Sequence, residues 1–315
     1  MPAAFGPAAT SRSSARVNDR PLRAFLFAPG NDERKLAKLA SSGSDAVVLD
    51  LEDAVADSRK EAARQTVKKA LGSYGPGPAV FVRVNGVETG LLADDLAAVM
   101  DDRLEGVVIP KLEDADTLAL VDDELRRLES DCGMEPGAVR VIPLVETAAG
   151  VMQVGAIAAA ATDRVVTLMF GIGDFVADIG VDISTGGDEL TYARSRIVVA
   201  ANGCGLGAPI DGPYLLDLTD VDGLVADSRR ARSLGFRGRV VVHPSHVEPV
   251  QRAFSELSPD ELRRARRIVE AFESAERGGS AALRVDGRFV DYPPYHRAKE
   301  QLRLYEATRL PADPA

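Results

Sequence analysis

The chain has 315 residues, 45% hydrophobic and 27% charged, an ordinary globular composition with enough length for a sizeable core. A formal net charge of −10 and a sequence pI near 5.0 exclude nucleic-acid binding through a broad basic face, though a local arginine can still serve an anionic substrate. No apolar stretch reaches the roughly 18 residues of a membrane span, and the two cysteines, Cys132 and Cys204, suit a reduced cytoplasmic protein.

Residues 1–20 are rich in Ala and Ser, carry Arg12, Arg16 and Arg20, and have no apolar core of a secretory signal. A disordered tail is expected there, with a transit peptide as the alternative. From residue 24 onward one pattern repeats. A short β-branched run ends in polar, Gly or Pro residues, and an amphipathic helical stretch follows. The runs cover 24–28, 46–51, 80–84, 106–110, 140–145, 165–170, 208–211 and 239–242. The helical stretches cover 32–42, 58–71, 90–100, 115–130, 147–161, 189–202, 220–234 and 245–256. Near-continuous Val/Ile/Leu runs suit parallel strands buried on both faces. Eight strand–helix units in this length predict an α/β fold, a (β/α)8 TIM barrel over 21–257, with a doubly wound sheet as the alternative.

The remainder, 258–315, reads as a C-terminal helical extension. Ser258, Pro259 and the acids Asp260 and Glu261 open a strong helix over 258–277. A hairpin over 282–290 turns at Asp286-Gly287, and a last helix is expected over 294–308, before a Pro-rich end. A barrel closes without this segment, so it is free to cover a face or reach a neighbouring subunit.

In a barrel of this kind chemistry gathers where strands end. The residues at those ends are Gly30 and Asn31; Glu52 and Asp53; Arg83 and Asn85; Lys111; Glu146; 171–174, ending in Asp174; Asp211; and His243. Nearly all are polar or Gly. The carboxylates suit a hard cation: magnesium takes one or two protein carboxylates and fills its octahedron with water and substrate oxygens. Glu146 and Asp174 follow adjacent strands and are the candidate metal ligands. Asp50, Glu52 and Asp53 lie across the mouth, placed to order water around the ion. Arg83 offers a planar fork to a substrate carboxylate. Gly30, Asn31 and Lys111 complete the candidate set around the substrate. Taken singly, Asp53 and Asp211 suit surface ion pairs or helix caps equally well.

Two glycine groups do not read as nucleotide loops. Gly171-Ile-Gly173 follows the sixth strand, has Val176 at the third glycine position, and its Asp174 would repel a pyrophosphate. Gly203, Gly205 and Gly207 fall between a helix and a strand, on the opposite rim. The three histidines have no zinc spacing, and His243 suits a satisfied strand-end residue.

The stretches LFAPGNDERKLAK, VVLDLEDAV, FVRVN, GVVIPKLEDAD, PLVETAAGV, FGIGDFVADIG, YARSRIVVAA, PIDGPY and VVHPS resemble, in this order, the citrate lyase beta-subunit-like and malyl-CoA lyase branch of the HpcH/HpaI aldolase superfamily. The resemblance covers 24–296. It implies a TIM barrel, a magnesium ion (manganese as a substitute), and carbon–carbon cleavage of a citramalyl-, malyl- or citryl-CoA-type thioester to acetyl-CoA and a 2-oxo acid, or the reverse. It assigns Glu146 and Asp174 to the metal, Arg83 to the substrate, and Glu52 and Asp53 to the surroundings of metal-bound water. It further implies a homo-oligomer, trimer or hexamer, in which an acid of the C-terminal segment serves a neighbour's site as acid/base; in DGRFVDYPPYHRA that acid is Asp291. A malyl-CoA thioesterase, a 2-oxo acid aldolase and a non-catalytic subunit of a lyase complex are the alternative functions.

Overall fold

The computed structural model describes residues 21–307; the expected tail over 1–20 and the Pro-rich end lie outside the described residues. Eight strands form a closed, all-parallel barrel in chain order, which excludes the doubly wound sheet. They are β1 (Ala24–Pro29), β2 (Ala46–Asp50), β3 (Ala79–Arg83), β4 (Gly106–Ile109), β5 (Arg140–Val145), β6 (Met169–Phe170), β7 (Ile210–Asp211) and β8 (Gly238–Val241). Closure joins Ala24 of β1 to Arg239 of β8. The barrel interior is filled by Phe25, Ala46, Val48, Phe81, Val108, Ile142, Leu144, Met169, Ile210 and Val240, so the barrel is a packed core. Alternate residues such as Val47 and Leu49 are equally buried, on the other face of the strands, which is why the runs read as continuously apolar.

Two strands are shorter than expected by two residues or more. In the predicted run 165–170, Val165 makes only an isolated bridge to Val141, and the ladder resumes at Met169. Between them the backbone turns to the next segment: Gly207 N–H donates to the Val166 carbonyl and Thr167 Oγ1 to the Gly207 carbonyl. In 208–211, Pro209 has no N–H to give a ladder, and β7 begins one residue later.

The helices are α1 (Glu33–Leu39), α2 (Lys60–Leu71), α3 (Leu92–Val99), α4 (Ala115–Cys132), α5 (Ala148–Ala159), α6 (Ile172–Ile179), α7 (Thr191–Gly203), α8 (Val221–Leu234) and α9 (Val247–Ser255). Side-chain caps set several starts: Asp32, Asp114, Thr147 and Asp220 each accept a backbone N–H of the first turn. α6 is an addition to the expected eight. It follows β6 directly, and its Ile172, Phe175, Val176 and Ile179 have helical spacing.

The described residues divide into two compact units between Gln251 and Arg252. The second contains α10 (Pro259–Arg277), the hairpin β9 (Leu283–Val285) and β10 (Arg288–Val290), and α11 (Tyr292–Ala307). Ser258 and Glu261 form a capping box on α10. Asp286 and Gly287 both take positive φ, 48° and 78°, as a tight hairpin turn requires. α11 starts earlier than the expected residue 294 because Pro293 and Pro294 fall in its first turn, where no N–H is needed. Phe272, Val290 and Tyr295 form this unit's core, with the Phe272 and Tyr295 rings stacked at 4.5 Å. Cys132 and Cys204 are free, and no helix among the described residues is long and apolar enough to cross a membrane.

Asp211, one of the strand-end acids, has a structural task. It joins Arg194 of α7, Asp227 of α8 and Arg239 of β8 in a buried cluster behind the barrel wall, where both guanidiniums are fully buried. Burial alone would raise the Asp227 carboxyl, but the Arg239 and Arg194 charges outweigh it and hold the group at about 2. Asp211→Ala leaves buried guanidinium charge short of a carboxylate and is expected to destabilise the fold by about 3–5 kcal/mol in urea unfolding near neutral pH. A loss below about 1 kcal/mol would mean that the cluster does not hold β7 and β8 to their helices.

Candidate active site

The polar strand ends of β2 to β6 meet at one place on the mouth. Glu52 lies two residues past β2, Arg83 ends β3, Lys111 lies two residues past β4, Glu146 follows β5, and Asp174 sits in the first turn of α6.

Glu146 is 1% exposed. Its Oε1 accepts the backbone N–H of Lys111 at 2.8 Å. Gly171 makes room for the carboxylate: a Cβ there would fall 2.4 Å from both Cβ and Oε2 of Glu146. This is the use of the first glycine in the Gly171-Ile-Gly173 stretch. Lys111 has φ +47°, the left-handed region, at a cost on the order of 1–3 kcal/mol for a residue with a Cβ. In that conformation its N–H meets Glu146 while its Nζ reaches Glu52 Oε1 at 2.6 Å and Asp53 Oδ2 at 3.5 Å.

Arg83 was expected to turn its fork to a substrate. Here Nε and Nη2 instead grip Asp50 Oδ1 and Oδ2 at 2.7 and 2.6 Å, and Nη1 lies 2.7 Å from Glu52 Oε2. The guanidinium also stacks over the Phe27 ring at 5.5 Å. Asp50 accepts the N–H groups of Glu52 and Ala54 as well, so it braces the loop after β2 and Arg83 together. Asp50 takes two of Arg83's five N–H groups, and Nη1 faces Glu52 without a hydrogen bond. Glu52 Oε2, although close to Arg83, is off hydrogen-bonding alignment and is a buried oxygen without a hydrogen-bond partner.

Like charges crowd this mouth. Burial raises the Glu146 carboxyl, Glu52 and Asp174 raise it further, and Arg83 and the Lys111 N–H only partly offset them, leaving it pushed up to about 8. Burial also raises Glu52 above its ordinary value, against the pull of Arg83 and Lys111. Asp174 is half-buried and makes no hydrogen bond or ion pair among the described residues. A divalent cation between Glu146 and Asp174 would relieve this repulsion. No group of three or more His, Cys, Asp or Glu side chains among the described residues is placed to hold a metal by itself. Two carboxylates with room for water and substrate oxygens are a magnesium donor set, and the residues fit it.

The other predicted residues fall as follows. Gly30 is a close-approach glycine: its N–H donates to the Asp50 carbonyl at 2.7 Å, and a Cβ would lie 2.6 Å from that oxygen. Asn31 is exposed between β1 and α1, and Asp53 is exposed at the rim. Asp291 belongs to the second unit, half-buried just before α11, where its carbonyl accepts the Tyr295 N–H. His243 is satisfied by Ser245, as a strand-end residue would be. Lys60 went unnoticed in the sequence. Its signal was a lysine in the buried stripe Lys60, Ala63, Arg64, Val67, Leu71 of α2.

The profile of the HpcH/HpaI aldolase/citrate lyase family matches residues 23–244. The chain is 34% identical over 311 residues to the mitochondrial citramalyl-CoA lyase of Homo sapiens, covering 93% of this chain and 88% of that one. It is 31% identical over 301 residues to the citrate lyase subunit beta of Escherichia coli, covering 95% and 98%. The crystal structure of CitE from Mycobacterium tuberculosis with magnesium, acetoacetate and coenzyme A superposes with a TM-score of 0.75 at 32% identity, covering 91% of this chain and 99% of that one.

A raised carboxyl makes magnesium compete with a proton. Glu146 ionises near 8 when folded and near 4.5 otherwise, so the stability it supplies is full below about pH 4.5 and is lost as pH rises through about 8. Magnesium restores stability only against the ionised form. The increase in melting temperature on adding magnesium is therefore expected to grow from about pH 6 to about pH 9, and Glu146→Gln is expected to flatten it. An increment independent of pH in the wild type would contradict this account of the site.

Proposed function

Because the chain belongs to the HpcH/HpaI aldolase/citrate lyase family, we propose that it is a magnesium-dependent carbon–carbon lyase acting on coenzyme A thioesters. The reaction is cleavage of a citramalyl-, malyl- or citryl-CoA-type thioester to acetyl-CoA and a 2-oxo acid, or the reverse condensation. The observation that carries this reading is the buried Glu146, crowded by Glu52 and Asp174 and faced by the cations of Arg83 and Lys111.

Glu146 and Asp174 would hold the magnesium ion. Once bound, the ion supplies Lewis-acid polarisation of substrate hydroxyl and carboxylate oxygens. Cleavage needs three further things from the chain. A carboxylate must take the hydroxyl proton as the carbon–carbon bond breaks, and we assign this to Asp291. The enolate left on the thioester side needs fixed positive donors, and the N–H groups of Arg83 that Asp50 leaves uncommitted fill that role. Arg83 is already fixed by Asp50, so little reorganisation opposes its action. Lys111 and Glu52 keep the loops after β4 and β2 joined across the mouth. The proton then returns to the enolate carbon to give acetyl-CoA. Asp291 would serve a neighbouring protomer, within the cytoplasmic homotrimer or hexamer this reading includes; a monomer with full turnover would contradict that arrangement.

Three outcomes test the proposal together. The wild type is expected to give acetyl-CoA and a 2-oxo acid, and free coenzyme A alone would identify a thioesterase instead. Glu146→Gln and Asp174→Asn are expected to lose turnover and magnesium affinity with the fold intact. Asp291→Asn is expected to lose turnover and keep magnesium affinity. Full activity in any of the three variants would remove the role given to that residue.

A further inference from the structure

Lys60 is a buried cation with no task in the chemistry above. It opens α2, its residue is 8% exposed, and its ammonium has three N–H groups, all of them used. Nζ donates to the carbonyls of Leu51 and Glu52 at 3.2 and 3.1 Å and to Asn85 Oδ1 at 2.6 Å. Asp57, fully exposed, lies 4.0 Å away. Asn85, itself 0% exposed at the end of β3, completes the arrangement. Its Nδ2 donates to the same Leu51 carbonyl at 3.1 Å and to Asp95 Oδ2 at 2.6 Å, and its backbone N–H also meets Asp95. Asp95 is held in turn by Arg64 Nε at 2.6 Å. A buried chain of polar groups thus runs from α2 and α3 to two consecutive carbonyls of the loop that carries Glu52.

That loop needs an anchor. Glu52 is 3% exposed, and its buried Oε2 has no hydrogen-bond partner, so a turn of Glu52 toward solvent would satisfy that oxygen. Arg83 and Lys111 hold the carboxylate end; Lys60 holds the backbone end. We propose that Lys60, together with Asn85, is a positioning residue that fixes the Leu51–Glu52 peptide and through it the Glu52 carboxylate at the mouth of the barrel. The role is one of coordination: a single nitrogen supplies three divergent donors to three acceptors. The inference rests on the function proposed above.

The test is a double-mutant cycle on the full-length protein. Lys60→Met keeps the length of the side chain and removes its donors. Its kcat is expected to fall about 10–100-fold, as for loss of an outer partner of a metal site, with little change in KM for the thioester. In the Glu52→Gln background the same change is expected to cost almost nothing further, because its effect passes through Glu52. A wild-type kcat for Lys60→Met, or a double variant slower by the product of the two single losses, would overturn the proposal. A crystal structure of Lys60→Met reads the position without turnover: the 51–52 peptide is expected to rotate and Glu52 to leave Arg83 and Lys111, and an unmoved Glu52 would also overturn it. Should Lys60→Met not fold, Asn85→Ser carries the same cycle. Absence of lyase turnover in the wild type would refute the functional reading alone, and the crystallographic comparison would still decide the role of Lys60.

Discussion

A carboxylate is held almost out of water beside two others. Glu146 could avoid this by turning outward, yet Gly171 leaves it a recess and Lys111 adopts a left-handed backbone to give it a hydrogen bond. Those features have a cost when the site is read as a fold alone. They are consistent with a site preorganised for a divalent cation, whose charge turns the same repulsion into coordination. The arginine fits the same view. Arg83 is fixed by Asp50 before any substrate arrives, so its positive charge is set in place by the fold.

The barrel makes this crowding affordable. Each acid stands on a different strand or on the turn that follows it, and the strands are locked by a core of apolar side chains and by the closing β8–β1 pairing. Strain on a loop would otherwise relax by moving the loop. Here the neighbouring elements are rigid, so the like charges stay where the chain puts them. The buried ion cluster behind β7 and β8 does similar work on the far side of the wall, with paired charges instead of unpaired ones.

Much of this is legible in the sequence because its cause is local. Apolar β-branched runs ended by polar residues mark the strands, and charged residues after several of the runs mark the mouth. The run at 140–145 matches β5 to the residue. What escapes depends on contacts distant in sequence. The interruption after Val165 comes from Gly207 and Thr167; the fork of Arg83 is gripped by Asp50, 33 positions away; and Lys60 reads as one more helix lysine until Asn85 and the Leu51 carbonyl are seen beside it. α6 had its signal in Ile172, Phe175, Val176 and Ile179, but the strand-end reading of 171–174 obscured it. Residue types at strand ends therefore announce that a charged site exists, and pairing across the mouth decides which groups stay free for chemistry.

The most direct measurement is the anomalous signal of manganese in crystals of the full-length protein grown near pH 8. One ion is expected between the Glu146 and Asp174 carboxylates, with its remaining positions filled by water or added 2-oxo acid. An ion ligated elsewhere, or no ion at that place at a concentration that supports turnover, would contradict the account.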